Sequence, residues 1–172
     1  MGLIVQKYGG TSVADLERIN NVAKRVAKTF DQGNDVVVIL SAMAGVTDGL
    51  IDMANQVTES PDKRELDVLL ATGEQTTAAL LAMTLKKMNY SALSMLGHQA
   101  RVVTDRTFGD ARIIEIGAEY IMKLIEKRNI VVVAGFQGCD VSGNITTLGR
   151  GGSDTSAVAI ASVLKADICE IY

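Results

Sequence analysis

Apolar residues recur along this chain in two alternating rhythms. Leu16, Ile19, Val22, Ala23, Val26, Ala27 and Phe30 fall at helical spacing, which predicts a helix with one buried face over about 13–30. Asp35 to Ser41 is instead a β-branched run, Val36-Val37-Val38-Ile39-Leu40, short enough for a strand buried on both faces. The contrast repeats downstream. Further helices are expected over about 48–57, 64–88, 113–127 and 153–164, and strands over 2–7, 90–96, 130–136 and 167–172. Thr72-Gly73 interrupts the stretch from Leu66 to Leu85, predicting two helices or one helix broken at Gly73. Residues 97–109 read as irregular, and 137–152, rich in Gly and Thr, as a long loop or a hairpin.

Strands alternating with helices predict an α/β fold, a largely parallel central sheet covered by helices on both faces in a three-layer sandwich. Ligands on such sheets gather at the carboxyl ends of the strands. Three glycine-bearing loops follow strands, at 8–12, 42–49 and 136–152, so they can share one edge. There is no internal repeat and no linker, and 172 residues suit one core. The last expected strand stops at Tyr172 with no turn or cap after it, and we expect the chain to be part of a longer one.

Composition narrows the classes. Apolar residues make up 48% and charged residues 22%, which predicts a folded soluble chain. No purely apolar run approaches the roughly 20 residues of a membrane span, and the N-terminus lacks the pattern of a secretory signal. A cytoplasmic location without membrane contact is the expectation. The net charge of -3 offers no overall field for nucleic acid. Cys139, Cys169 and the single His98 match no metal-ligand spacing, so reduced thiols and no metal site in the chain are expected.

Chemistry concentrates in the loops. Gly9 and Gly10 allow a phosphate close to the backbone, a following helix would aim its dipole there, and Lys7 supplies a point charge. A plain tight turn explains the same glycines. Ser41, Gly45 and Thr47 stand beside a helix start, as an anion site or as a capping turn. Arg150 lies between glycines just before the helix at Ser153. It can hold a carboxylate through two parallel hydrogen bonds, or serve as a solvated loop charge. Ser153 suits helix capping or ligand binding. Glu74 suits a helix start or the ammonium group of an amino acid.

Taken together, KYGGTSV at 7–13, SAMAGVTD at 41–48, GE at 73–74, GFQG at 135–138 and TLGRGGSDT at 147–155 resemble the aspartate kinases of the amino-acid kinase family, from end to end of the chain. Tyr8 stands where many members have phenylalanine. The resemblance implies the amino-acid kinase fold, here incomplete, and transfer of the γ-phosphoryl group of ATP, with Mg2+, to the side-chain carboxylate of L-aspartate. It implies Lys7 and Asp154 as catalytic residues. Lys7, Tyr8, Gly9, Gly10, Ser12 and Ser41 would face ATP phosphates. Thr47, Glu74, Phe136, Arg150, Gly151, Gly152 and Ser153 would hold aspartate. Residues 1–172 would then be the aspartate- and phosphate-binding part of the kinase domain, with the remainder of that domain and the ACT regulatory domains absent, and the full-length protein a homo-oligomer. Alternatives are a related kinase for another carboxylate or a carbamate, and a non-catalytic module of the same fold.

Overall fold

The computed structural model describes residues 2–172. Its main sheet has five strands, all parallel, in the order β3 (Ala92–Met95), β6 (Ile130–Ala134), β2 (Asp35–Leu40), β1 (Leu3–Tyr8) and β9 (Ile168–Ile171). Alternation along the strands feeds two separate cores. Val36, Val38 and Leu40 of β2 pack toward α1 (Leu16–Asp31) and α3 (Lys63–Lys87), against Ile19, Val22 and Val26 and against Ala78, Leu81 and Leu85. Val37 and Ile39 pack on the other face toward α4 (Ala118–Glu126) and α5 (Gly152–Leu164), through Ile121, Ile125, Ala157 and Ile160. This is the expected three-layer α/β sandwich. Burying both faces of β2 is what a continuous run of β-branched residues is suited to, and Val36 through Leu40 are fully inaccessible.

Several element assignments change. α3 runs unbroken through Gly73 for 25 residues. A Cβ at Gly73 would lie 2.8 Å from the Cβ of Ala42, so glycine there permits close approach of the loop after β2 rather than a break. α3 has the length and apolarity of a membrane span, but half of its most apolar window is buried inside the fold, where it packs as a core helix. Residues 113–116 form a strand, β5 (Ile113–Ile116), and only 118–126 are helical. Its antiparallel partner β4 (Val102–Thr104) lies in the segment read as irregular. β4 also pairs with β7 (Gln137–Cys139), which forms an antiparallel hairpin with β8 (Ile145–Thr147), giving a second, four-stranded sheet. The 137–152 stretch is thus a hairpin followed by a loop. Cys139 is half-buried and Cys169 exposed, and both are free thiols.

One correction bears on the site. The segment after β1 forms a 3-10 turn over Gly10–Val13, and α1 begins only at Leu16. Asp15 caps it, its carboxylate accepting from the Arg18 N–H at 2.7 Å. The start of α1 is therefore occupied by its own acid and does not serve as an anion site.

Candidate functional site

β1, β2 and β6 are neighbouring parallel strands, so their carboxyl ends open onto one edge. Lys7 is the last residue but one of β1, Ser41 and Ala42 follow β2, and Phe136 lies just beyond β6. Glu74 reaches the same place from the middle of α3, Thr47 from the first turn of α2 (Val46–Val57), and Gly149, Gly151, Gly152, Ser153 and Asp154 from the loop leading into α5 and its first turn. Together these residues line a cavity of about 250 Å3. Of the residues singled out in the sequence, Lys7, Ser41, Thr47, Glu74, Phe136, Gly151, Gly152, Ser153 and Asp154 meet there.

Strand alternation decides which residues of the 7–12 segment take part. Lys7 shares the face of Val5, the α5 side, and its Nζ meets Asp154 Oδ1 at 2.6 Å. The lysine side chain is 11% exposed and the aspartate 51%. Tyr8 faces the α1 side instead, where its hydroxyl donates to Gln6 Oε1 at 3.1 Å and its ring stacks on Tyr172. Burial pushes its phenol pKa up. Tyr8 and Ser12 line a different cavity of about 700 Å3, with Arg18, Arg25 and Tyr172, and so lie apart from Lys7. Nor is the glycine pair a row of free donors. The Gly9 N–H donates to the Tyr172 carbonyl at 3.0 Å. A Cβ at Gly9 would stand 3.4 Å from Lys7 Nζ, and one at Gly10 would stand 2.9 Å from the Ala42 carbonyl oxygen. These glycines make room for Lys7 and for the Ala42 loop.

The anion-facing helix start is that of α5. Its N-cap, Gly151, has φ +71° and no capping side chain, and Gly152 and Ser153 of the first turn line the cavity. The Gly152 N–H is taken by the Gly149 carbonyl, and the positive end of a thirteen-residue helix without a side-chain cap points where Lys7 points. Ser153 does not cap the helix, which removes the structural alternative for its hydroxyl. Phe136 is held with φ +68°, a conformation costly for a residue with a side chain. Its N–H donates to Ser156 Oγ at 3.0 Å, and its carbonyl accepts from the Leu148 N–H at 2.9 Å. The site loops are fastened to each other at this residue.

Glu74 is 3% exposed. Its Oε1 accepts from the Ala42 N–H at 3.0 Å, and its Oε2 is buried with no hydrogen-bond partner among the described residues. Burial raises its pKa to about 7, against the smaller opposing effect of the Ala42 hydrogen bond. A buried carboxylate oxygen without a donor is expensive unless something else supplies one. Arg150 is exposed and lines an adjoining cavity of about 690 Å3, which shares Thr47, Phe136 and Gly149 with the first and adds Phe108, Asp110 and Asp67.

Asp67 escaped the sequence reading. It is 1% exposed, and accepts from the Thr147 N–H (2.9 Å), the Thr147 hydroxyl (2.8 Å) and the Gly109 N–H (3.1 Å). The available signal was an acid inside the leucine stripe of a helix, beside Leu66 and before Leu70.

The model of a family described as the amino acid kinase family matches residues 2–172. Among curated proteins, an aspartokinase of Bacillus sp. is 58% identical and one of Geobacillus stearothermophilus 54% identical over all of this chain. The chain spans 42% of the length of each. Among solved structures, aspartate kinase from Synechocystis aligns over 99% of this chain and 28% of its own, with TM-score 0.83 and 48% identity. E. coli aspartokinase III, solved in complex with aspartate and ADP, aligns over 99% of this chain and 48% of its own, with TM-score 0.88 and 25% identity.

Proposed function

Because the chain belongs to the amino acid kinase family, we propose that it forms the aspartate- and phosphate-binding part of an aspartate kinase. The proposed reaction joins a side-chain carboxylate oxygen of L-aspartate to the γ-phosphorus of ATP, breaks the bond from that phosphorus to the β,γ-bridging oxygen, and yields 4-phospho-L-aspartate and ADP. The observation that carries this reading is the pairing, in one cavity, of a buried ammonium beside an open helix start with a buried carboxylate one of whose oxygens lacks a donor. The first suits a transferring phosphoryl group and the second an amino-acid ammonium.

The residues divide accordingly. Lys7, with Ser41 and the Gly152–Ser153 start of α5, offsets negative charge on the phosphates, since phosphoryl transfer rests mostly on positioning and charge stabilisation. Gly9 and Gly10 contribute by the space they leave. Asp154 orients Lys7 through their 2.6 Å contact. Asp154, half-exposed beside the phosphate-facing elements, would be the acid to hold Mg2+ brought with ATP, which would supply further charge neutralisation. Glu74 Oε2 takes the ammonium group of aspartate, and the ammonium in turn favours the ionised carboxylate. Arg150 holds the α-carboxylate from the adjoining cavity, and Thr47, Phe136, Gly151 and Ser153 shape the space between. The acceptor carboxylate is ionised at neutral pH, so no general base is required. In the same reading the full-length protein is a cytoplasmic homo-oligomer with further nucleotide-binding and regulatory parts, consistent with relatives more than twice as long as this chain.

The test is ATP-dependent formation of aspartyl hydroxamate by the full-length protein. Preference for aspartate over glutamate is expected, and equal use of both would overturn the assignment. Lys7→Ala should lower kcat roughly 100- to 1000-fold. Wild-type turnover by that variant would favour a non-catalytic module.

A further inference from the structure

Arg150 projects from a loop with few fixed points. Gly149 on one side and Gly151 on the other both have left-handed backbone, at φ +73° and +71°. The arginine side chain itself makes no ion pair among the described residues. Downstream, the loop is tied by the Gly152 N–H to the Gly149 carbonyl at 3.1 Å. Upstream, its root is Thr147, and Asp67 grips that residue through both its N–H and its hydroxyl. The same Asp67 Oδ2 takes the Gly109 N–H. This second grip falls on the wall against which the Arg150 loop rests. A Cβ at Gly149 would lie 2.8 Å from Asp110 Oδ1 and 3.3 Å from the Gly109 carbonyl oxygen, and the Ala111 N–H donates to the Thr147 carbonyl at 2.9 Å.

We infer that Asp67 is a positioning residue for Arg150, holding the loop's root and its supporting wall to α3 so that the guanidinium is presented to a substrate carboxylate. The inference rests on the reading of Arg150 as the carboxylate-binding residue. A carboxylate suits the task because it is acceptor-only and can take several donors at once. An asparagine of the same shape can keep the two N–H groups on its carbonyl oxygen, but its NH2 then obliges the Thr147 hydroxyl to turn from donor to acceptor, and the negative charge that strengthens all three hydrogen bonds is lost. Loss of orientation at a substrate-positioning side chain weakens binding of the group it holds, and leaves the phosphate-facing residues on β1 and α5 in place.

The experiment compares Asp67→Asn, Thr147→Val and Thr147→Ser in the full-length enzyme by steady-state kinetics at varied aspartate and varied ATP. Asp67→Asn is expected to raise the KM for aspartate roughly tenfold, with the KM for ATP within about twofold of wild type. Thr147→Val should give a smaller rise of the same kind, and Thr147→Ser, which keeps the hydroxyl, should behave as wild type. A purely structural role would lower the active fraction and the thermal midpoint while leaving both KM values alone. That result, or a parallel rise in both KM values, would overturn the inference. If Asp67→Asn does not fold, Thr147→Val decides on the same criterion. Failure of the underlying reading looks different. It would appear as an unchanged aspartate KM in Arg150→Ala, or as no aspartyl hydroxamate from the wild type.

Discussion

Glu74 and Asp67 lie seven residues apart on α3, two turns along one face, and the fold treats these two buried acids in opposite ways. Asp67 is met by three donors from two loops. Glu74 is met by one, and its second oxygen is left without a partner, on a residue that lines a cavity together with Lys7 and the start of α5. Depth of burial is the same for both. What separates a holding acid from a binding acid is how many of its lone pairs the protein fills, because an unfilled one is costly until a ligand arrives.

The contrast is sharpest in the full-length enzyme with Glu74→Gln. We expect kcat/KM for aspartate to fall roughly 100- to 1000-fold, about 3–4 kcal/mol, with no loss of thermal stability at pH 8. An unchanged aspartate KM would show that the bare oxygen binds nothing. Asp67→Ala should act on folding as well as on aspartate binding: it strands three donors and should cost about 2 kcal/mol in urea denaturation. If it costs no more than Ala at the exposed Glu65, the distinction between the two acids fails.

A pH series separates them next. The folded-state pKa of Glu74, about 7, is raised above its ordinary value of 4.5. Its contribution to stability is therefore fully present below about 4.5 and is lost as pH rises through about 7. Aspartate binding should run the other way, since the ammonium needs the ionised form, and the aspartate KM should drop about tenfold between pH 6 and 8. Glu74→Gln should flatten both profiles. The smallest effect is at Gly73→Ala. Helix propensity alone favours alanine by about 1 kcal/mol. The 2.8 Å approach to Ala42 should reverse that sign, to a net loss of about 1 kcal/mol, and disturb the Ala42 N–H that Glu74 accepts. A stabilised Gly73→Ala variant would mean the loop yields freely.

Much of this was legible before any coordinates. The apolar stripe of α1 and the β-branched run of β2 each satisfy one period only, so both elements and the layered α/β architecture followed from spacing. The errors have local causes. Ile113 and Ile116 are three apart and mimic a helix, whereas their strand is dictated by a distant partner, β4. Gly73 looked like a breaker because the sequence does not show what it lies against. Tyr8 and Ser12 stand beside Lys7 in the motif that carries the resemblance, and what the sequence does not show is that strand alternation and a 3-10 turn send them to the α1 side. Glu74 was legible as a candidate, but its bare oxygen exists only in the assembled fold. Asp67 showed in the sequence only as an acid inside a leucine stripe, and its role was not legible for the same reason, since its three donors lie 42 and 80 residues away.

The common edge of β1, β2 and β6 also acts as a ruler. Each strand hands over to its loop at one level, with the Ser41 N–H on the Tyr8 carbonyl and the Gly135 N–H on the Leu40 carbonyl. Adjacent strands stand about 4.8 Å apart, so Tyr8, Leu40 and Ala134, paired across the sheet at that level, are posts on a fence of fixed pitch. No single substitution can widen that fence. Under the proposed function, choosing between aspartate and an acid one carbon longer would therefore fall to the opposite bank, to Thr47 and the loop that carries Arg150.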